Sequence, residues 1–222
     1  VVILSDDLQA IAQELVRGAR EPRDAPVQRL DFTVKPDVAL RQLSPNFCWF
    51  HPRMAAIPGL GQGGQPRLVM TLQKHLNVSD YYSGLYVMQS DDLGKTWTKP
   101  VEIPELGWTN EPGGVVTAVA DVTPGWHAPT GKLIAIGAKV RYIPAGVELN
   151  DLTRSNQTAY AVHDPNSGAW SRWKLLEMPK DKKFDFNRNA CAQWLVEPDG
   201  TLLVPFYCGE SDKVPFFVTV AR

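Results

Sequence analysis

The octapeptide Ser90-Asp91-Asp92-Leu93-Gly94-Lys95-Thr96-Trp97 constrains the fold more than any other stretch. It lies between two strand-like runs, Gly84 to Gln89 and Thr98 to Ile103, so it reads as the turn of a β-hairpin. Each residue type in the pattern Ser-x-Asp-x-Gly-x-Thr-Trp has a local task. Asp92 accepts backbone N–H bonds within a tight turn, and Gly94 takes a positive φ without steric cost. Thr96 opens the returning strand, and Trp97 has the apolar area to anchor the turn on the sheet. Asp92 is therefore read as a turn former and not as a catalyst.

Around this turn the strand-like segments recur. Cys48 to Pro58, Arg67 to Gln73, Gly84 to Gln89 and Thr98 to Pro104 make a first set of four in up-and-down order. Val115 to Val122, Lys132 to Val140, Thr158 to Asp164 and Trp170 to Pro179 make a second, with a turn at Pro124 to Gly131. In that set Asp164 to Trp170 stands where the octapeptide stood. A third set runs from Asn189 to Val196, turns at Asp199-Gly200, returns with Thr201 to Tyr207 and ends with Val214 to Ala221. A period of roughly 65 to 75 residues is the mark of a large-bladed β-propeller. The expected fold class is thus all-β, with blades at about 46–104, 115–179 and 187–222, the last incomplete. Before them, 1–28 reads as a helix (Ser5 to Arg17) and a linker, and Arg29 to Val34 as a strand opening the 29–222 domain. A blade cannot cover both its faces without neighbours, and a partial ring exposes apolar faces and an unpaired edge. The remaining blades are expected after Arg222 or in another chain; the competing view is a complete small β-domain.

The chain has 222 residues, 44% of them hydrophobic, and a net charge of −1. That balance gives no reason to expect nucleic acid or a membrane surface as partner, and no apolar run reaches the ~20 residues of a bilayer span. No zinc-ligand spacing, phosphate loop or nucleophile elbow is present, so neither metal nor cofactor is expected. A two-residue loop at Asp199-Gly200 would set Cys191 opposite Cys208. Either a cross-strand disulfide or two reduced thiols fits that register. Asn77-Val78-Ser79 and Asn156-Gln157-Thr158 match the glycosylation sequon.

The octapeptide and its flanking strands resemble the Asp box of the sialidase (neuraminidase) superfamily, in which Ser90, Asp92, Gly94, Thr96 and Trp97 match the marker positions. The resemblance implies a six-bladed propeller and a carbohydrate substrate, and an expected secreted or periplasmic location that the sequence itself does not fix. Arg53, in His51-Pro52-Arg53-Met54-Ala55-Ala56-Ile57-Pro58, stands where that family carries a carboxylate-binding arginine, one of three. A planar guanidinium fork suits that task because it pairs with both carboxylate oxygens. Asp80 falls between Arg53 and the Asp box at about the place of the family's general acid/base. His75, close by, is a candidate base or substrate donor. Arg188, Glu111 and Arg141 are further substrate-binding candidates, and Glu210, Trp108 and Trp126 weaker ones. Glu111 and Arg188 precede first strands, which should put them on the same face as Arg53 and Asp80. The family's tyrosine nucleophile and further arginines come from later blades.

These features lead to three readings. The first is an exo-acting glycosidase for a glycan ending in an anionic sugar. The second is a propeller-type polysaccharide lyase in which His75 or a tyrosine takes a proton beside a uronate. The third is a non-catalytic propeller that binds glycans or proteins.

Overall fold

The computed structural model describes residues 31–76, 80–144, 146, 148–149, 157–189, 191–211 and 214–222. The chain divides into two units, Val1–Asp37 and Val38–Arg222. In the first, residues 31–37 have no regular structure, so the strand expected from Arg29 to Val34 is not formed over 31–34. Asp31, Phe32, Thr33 and Val34 are all exposed there and have no sheet to join. The expected helix from Ser5 to Arg17, its linker and the sequon at Asn77 lie outside the described residues, as does Asn156.

Among its described residues the second unit is all-β, apart from short 3-10 turns, with three antiparallel sheets. Sheet one is β1 (Cys48–Ile57), β2 (Arg67–His75), β3 (Tyr86–Ser90) and β4 (Val101–Glu102), paired in chain order. Sheet two runs β10-β8-β7-β6-β5, with β9 also on β8. Its strands are β5 (Thr109–Asn110), β6 (Val116–His127), β7 (Lys132–Tyr142), β8 (Thr158–Asp164), β9 (Ala169–Trp170) and β10 (Lys174–Leu175). Sheet three is built on β13 (Leu202–Gly209), which pairs with β11 (Phe186–Arg188), β12 (Leu195–Val196) and β14 (Phe217–Ala221).

Alternation along the strands decides which faces meet. On sheet one, Ala55, Ile57, Val69 and Val87 pack with Leu133 of sheet two. Leu85 and Leu106 join Val119, Val122, Ala135, Ala159 and Ala161 in a second cluster. Ile136 of sheet two packs with Trp194, Val204, Phe206 and Cys208 of sheet three. Buried polar side chains stitch the same seams. The Gln73 amide donates to the carbonyls of Ser83 (2.8 Å) and Val119 (3.0 Å). Asn187 Oδ1 accepts from Thr158 N at 2.9 Å, and Asn189 N donates to Thr158 Oγ1 at 3.1 Å. An unsatisfied buried amide costs far more than a satisfied one gains, so these bonds fix the relative placement of neighbouring sheets.

The Ser90–Trp97 turn closes on itself. Asp92 accepts from Thr96 N (2.9 Å), Thr96 Oγ1 (2.7 Å) and Ser90 Oγ (2.8 Å). Gly94 N donates to Ser90 Oγ at 2.8 Å, and Trp97 Nε1 donates to Gly94 O at 3.1 Å. Gly94 has φ +87°, a conformation that glycine alone adopts freely. The Thr96 hydroxyl and amide hold the Asp92 carboxyl at a pKa of about 2. The turn is at the far end of sheet one from His75, since Leu68 pairs with Ser90 and Cys48 pairs with His75.

Four expectations are corrected. The stretch Pro124 to Gly131 is not all turn: β6 continues through Pro124, Gly125 and Trp126, and only Ala128–Thr130 with Gly131 turns. Gly125 permits this because a Cβ there would overlap the Trp194 indole. The strand expected from Asn189 to Val196 is broken. Between Arg188 and Leu195 the chain is longer than the facing part of β13 between Leu203 and Tyr207, so it bulges out of the ladder. Cys191 therefore does not face Cys208, whose partner in the ladder is Asn187, and both thiols are free. The loop itself is one residue longer than expected. Glu197 N bonds Thr201 O at 2.8 Å, and Gly200 has φ +90°, the geometry of a type I turn followed by a left-handed glycine.

Two tests follow. Trp194 is 3% exposed and donates to Thr123 O at 3.2 Å, so Trp194→Ala should lower stability by about 3–5 kcal/mol in urea denaturation. A loss below about 1 kcal/mol would show that it does not wedge sheets two and three together. The Asp92 carboxyl should titrate near pH 2 by NMR. Its folded pKa is depressed, so its contribution to stability is complete above the ordinary value of ~3.9 and fades as pH falls toward the folded value. Thr96→Val should raise the midpoint; an unchanged midpoint would refute the assigned cause.

Candidate functional site

Five described residues other than glycine have positive φ: His51 (+53°), Asp80 (+55°), Leu93 (+58°), Asp121 (+58°) and Cys191 (+57°). Leu93 belongs to the hairpin turn. The other four gather at one place. His51 sits in a bulge of β1 between Phe50 and Arg53, where Pro52 has no N–H to give the ladder. Asp121 sits in a bulge of β6 between Ala120 and Thr123. Cys191 sits in the bulge between β11 and β12. One segment belonging to each sheet is thus kinked at a left-handed residue. Such conformations cost about 1–3 kcal/mol each and concentrate at functional sites.

The three side chains meet at the Asp121 carboxylate. His51 Nε2 lies 3.3 Å from Asp121 Oδ1, and Cys191 Sγ donates to the same oxygen at 3.0 Å. The Arg53 guanidinium is 4.0 Å from Oδ1, and that of Arg188 is 3.6 Å from Oδ2. Burial lowers the His51 pKa; Asp121 opposes this and Arg53 adds to it. The imidazole is therefore neutral at pH 7, and one carboxylate faces two guanidinium groups with an excess of one positive charge. Buried donors remain unused: Arg53 Nη1 and Arg188 Nε have no hydrogen-bond partner, and neither has His51 Nδ1.

A second layer continues from His51. Its ring centroid is 4.8 Å from that of Tyr82, and the Tyr82 hydroxyl donates to Asp80 Oδ1 at 3.1 Å. Burial, followed by the charge of Asp80, drives the Tyr82 phenol well above its usual pKa, so it acts as a neutral donor. His75 closes the group, 5.4 Å from Tyr82 and stacked on Phe50 at 4.9 Å. The bond from Leu76 N to Tyr81 O, 2.9 Å, pins the loop that carries Asp80. Arg53, Arg188, Asp80 and His75 thus belong to one contact network.

The other sequence candidates are placed differently. Glu111 and Arg141 bind one another through two bonds of 3.0 and 2.7 Å from Arg141 to Glu111 Oε2, and Thr117 Oγ1 donates to Glu111 as well. The guanidinium of Arg141, then the Thr117 hydroxyl, hold the Glu111 pKa low. The pair joins the end of β5 to β7, and each charge is met by the other. Glu210 is exposed, Trp126 packs against the core, and Trp108 is partly exposed. Sequence reasoning missed Asp121, His51, Tyr82 and Cys191. The available signal was a single carboxylate inside the apolar run of β6, since aspartate is seldom buried unless paired. Among the described residues no group of three or more His, Cys, Asp and Glu is arranged to hold a metal, and no helix is long and apolar enough to cross a membrane.

No protein-family model matches the chain, and no curated protein does. Among solved structures, it is similar to a GH43 β-1,3-galactosidase at 14% identity and a TM-score of 0.44, covering 77% of this chain and 36% of that one. It is also similar to an endo-arabinase from Bacteroides thetaiotaomicron VPI-5482 at 15% identity and a TM-score of 0.41, covering 79% and 57% respectively. The chain thus spans about a third and somewhat over half of the lengths of these two structures.

Burial, then the Asp121 hydrogen bond and charge, raise the Cys191 thiol pKa. Asp121→Asn should therefore increase the thiolate fraction and speed iodoacetamide alkylation of Cys191 at pH 8, read by peptide mass spectrometry. An unchanged or slower rate would mean the contact is not made. By NMR, His51 should titrate below its ordinary value of 6.5 and fall further in Asp121→Asn; a rise would contradict the charge arrangement.

Proposed function

We propose that this chain contributes the anion-binding side of the active site of a sialidase-like, propeller-type glycoside hydrolase, which removes a terminal carboxylated sugar from a glycan. One observation carries the reading. Arg53 and Arg188, from different sheets, converge within 4.0 and 3.6 Å of a single carboxylate, with positive charge and guanidinium donors to spare. Asp121 holds the two forks at a fixed separation. A substrate carboxylate then binds the accessible part of the two guanidinium groups, whose side chains are 19% and 18% exposed, in a charge-assisted pair stronger than neutral hydrogen bonds. Neutral His51 adds no competing charge.

Asp80 is the proposed general acid. It donates a proton to the glycosidic oxygen as the bond to the anomeric carbon breaks, then takes one from water in the second half of the reaction. The Tyr82 hydroxyl, which cannot ionise near neutral pH, orients the Asp80 carboxyl at 3.1 Å. The group that attacks the anomeric carbon is not assigned to any residue described above.

The test uses an α-linked sialoside of 4-methylumbelliferone. Asp80→Asn should lower turnover by about 10²–10⁴-fold, while Arg53→Ala and Arg188→Ala should chiefly raise KM. A full-rate Asp80→Asn variant excludes the assigned role. Release of an unsaturated, ultraviolet-absorbing product would favour the lyase with His75 as base. Binding without turnover by a protein that holds the whole active site would favour the non-catalytic glycan-binding scaffold.

A further inference from the structure

The anionic end of the substrate is accounted for by the arginines, but the sugar on the leaving-group side must also rest somewhere beside Asp80. We infer that the indole face of Trp108 is the platform for a neutral leaving-group sugar, with Tyr81 as its backing. This rests on the glycosidase reading for its orientation, though not for its existence.

Trp108 is held from both sides along the chain. Leu106, 1% exposed, anchors the preceding turn in the core. Thr109 and Asn110 follow as β5, paired to Thr117 and Val116 of β6. The indole N–H donates to Tyr82 O at 2.9 Å, so the ring's one polar group is satisfied and its remaining surface is apolar. One face lies on Tyr81, with centroids 5.4 Å apart and planes at 23°. Tyr81 is itself fixed: Tyr142 meets it edge-on at 4.8 Å, and Gly146 approaches so closely that a Cβ would stand 2.8 Å from the ring. Despite these constraints Trp108 is 39% exposed, whereas Trp194 is 3% exposed and Trp126, Trp170 and Trp173 pack against core clusters. A large apolar ring kept rigid and left open is costly to solvate, and covering it with another apolar face is favourable.

The link to Asp80 through Tyr82 makes the platform useful. Tyr82 holds the indole through its carbonyl and Asp80 through its hydroxyl. The two groups are thus registered on one residue. Among the described residues no hydrogen bond joins Trp108 to a charged side chain, so its face suits the C–H side of a neutral pyranose and not a second carboxylate. An orientation fixed on both sides of the bond to be broken places that bond at the acid, which is how positioning lowers a barrier.

Saturation-transfer NMR on the full chain with 3′-sialyllactose separates the two halves. In the unsubstituted protein the galactose ring protons should receive saturation along with the sialic acid ring. Trp108→Ala should lose the galactose response and keep the sialic acid response, and Trp108→Phe should restore most of it. Trp108→Leu, which keeps apolar volume without a flat face, makes the same comparison if the alanine variant does not fold. Galactose saturation in Trp108→Ala or Trp108→Leu as strong as in the unsubstituted protein would overturn the platform, as would its absence in the unsubstituted chain. A galactose response that needs Trp108, with no sialic acid response and no effect of Arg53→Ala, would keep the platform and refute the anionic-sugar reading instead.

Discussion

The Asp121 carboxylate is the point on which the three sheets depend for their common geometry at this site. It is reached by His51 and Arg53 from sheet one, and by Arg188 and Cys191 from the β11–β12 side of sheet three. A carboxylate 8% exposed is tolerable only when its charge is compensated. Here compensation exceeds need, because two guanidinium groups face it. The same arrangement that makes the buried charge tolerable therefore leaves an unspent preference for a second anion. Removing Asp121 would turn a shared anchor into two neighbouring, mutually repelling cations.

The backbone conformations at His51, Asp121 and Cys191 serve that convergence. An unkinked pleat sends successive side chains to opposite faces, where they would enter the seams between sheets and not the junction of all three. One left-handed residue in each of the three segments re-aims a side chain toward the common point. The seams must then be held by other groups, and Gln73, Thr158, Asn187 and Asn189 do so with buried hydrogen bonds. Apolar clusters of small residues on β6, β7 and β8, among them Ala120, Ala135, Ala138, Ala159 and Ala161, allow close approach. Strain at the site is thus carried by rigid sheet packing away from it.

Much of this was legible from the residues. The Ser90–Trp97 turn, the boundaries of β1, β7 and β8, and the division into sets of strands follow from alternation and turn chemistry, which are local. The bulges were not legible. Nothing in Ala-Val-Ala-Asp-Val-Thr says that Asp121 leaves the ladder, because that depends on a guanidinium group 67 residues later in the chain, at position 188. For the same reason the Cys191–Cys208 register was misjudged: a hairpin register carried outward fails once an extra loop of residues is accommodated by contacts with another sheet. Arg53 and Asp80 became candidates only through the resemblance of the turn and its surroundings to the sialidase pattern. Their connection through His51 and Tyr82 is tertiary. The mutual capture of Glu111 and Arg141 was likewise invisible, since thirty residues separate them.

The preference of the Arg53–Asp121–Arg188 cluster for a further carboxylate is tested most directly by calorimetric titration with the α-methyl glycoside of N-acetylneuraminic acid and with its methyl ester. The two ligands differ only in the charge offered to the guanidinium donors. The acid should bind at least about tenfold more tightly than the ester, the loss expected when a charge-assisted pair is replaced by a neutral contact. Equal affinities, or tighter binding of the ester, would mean that the two arginines serve Asp121 alone.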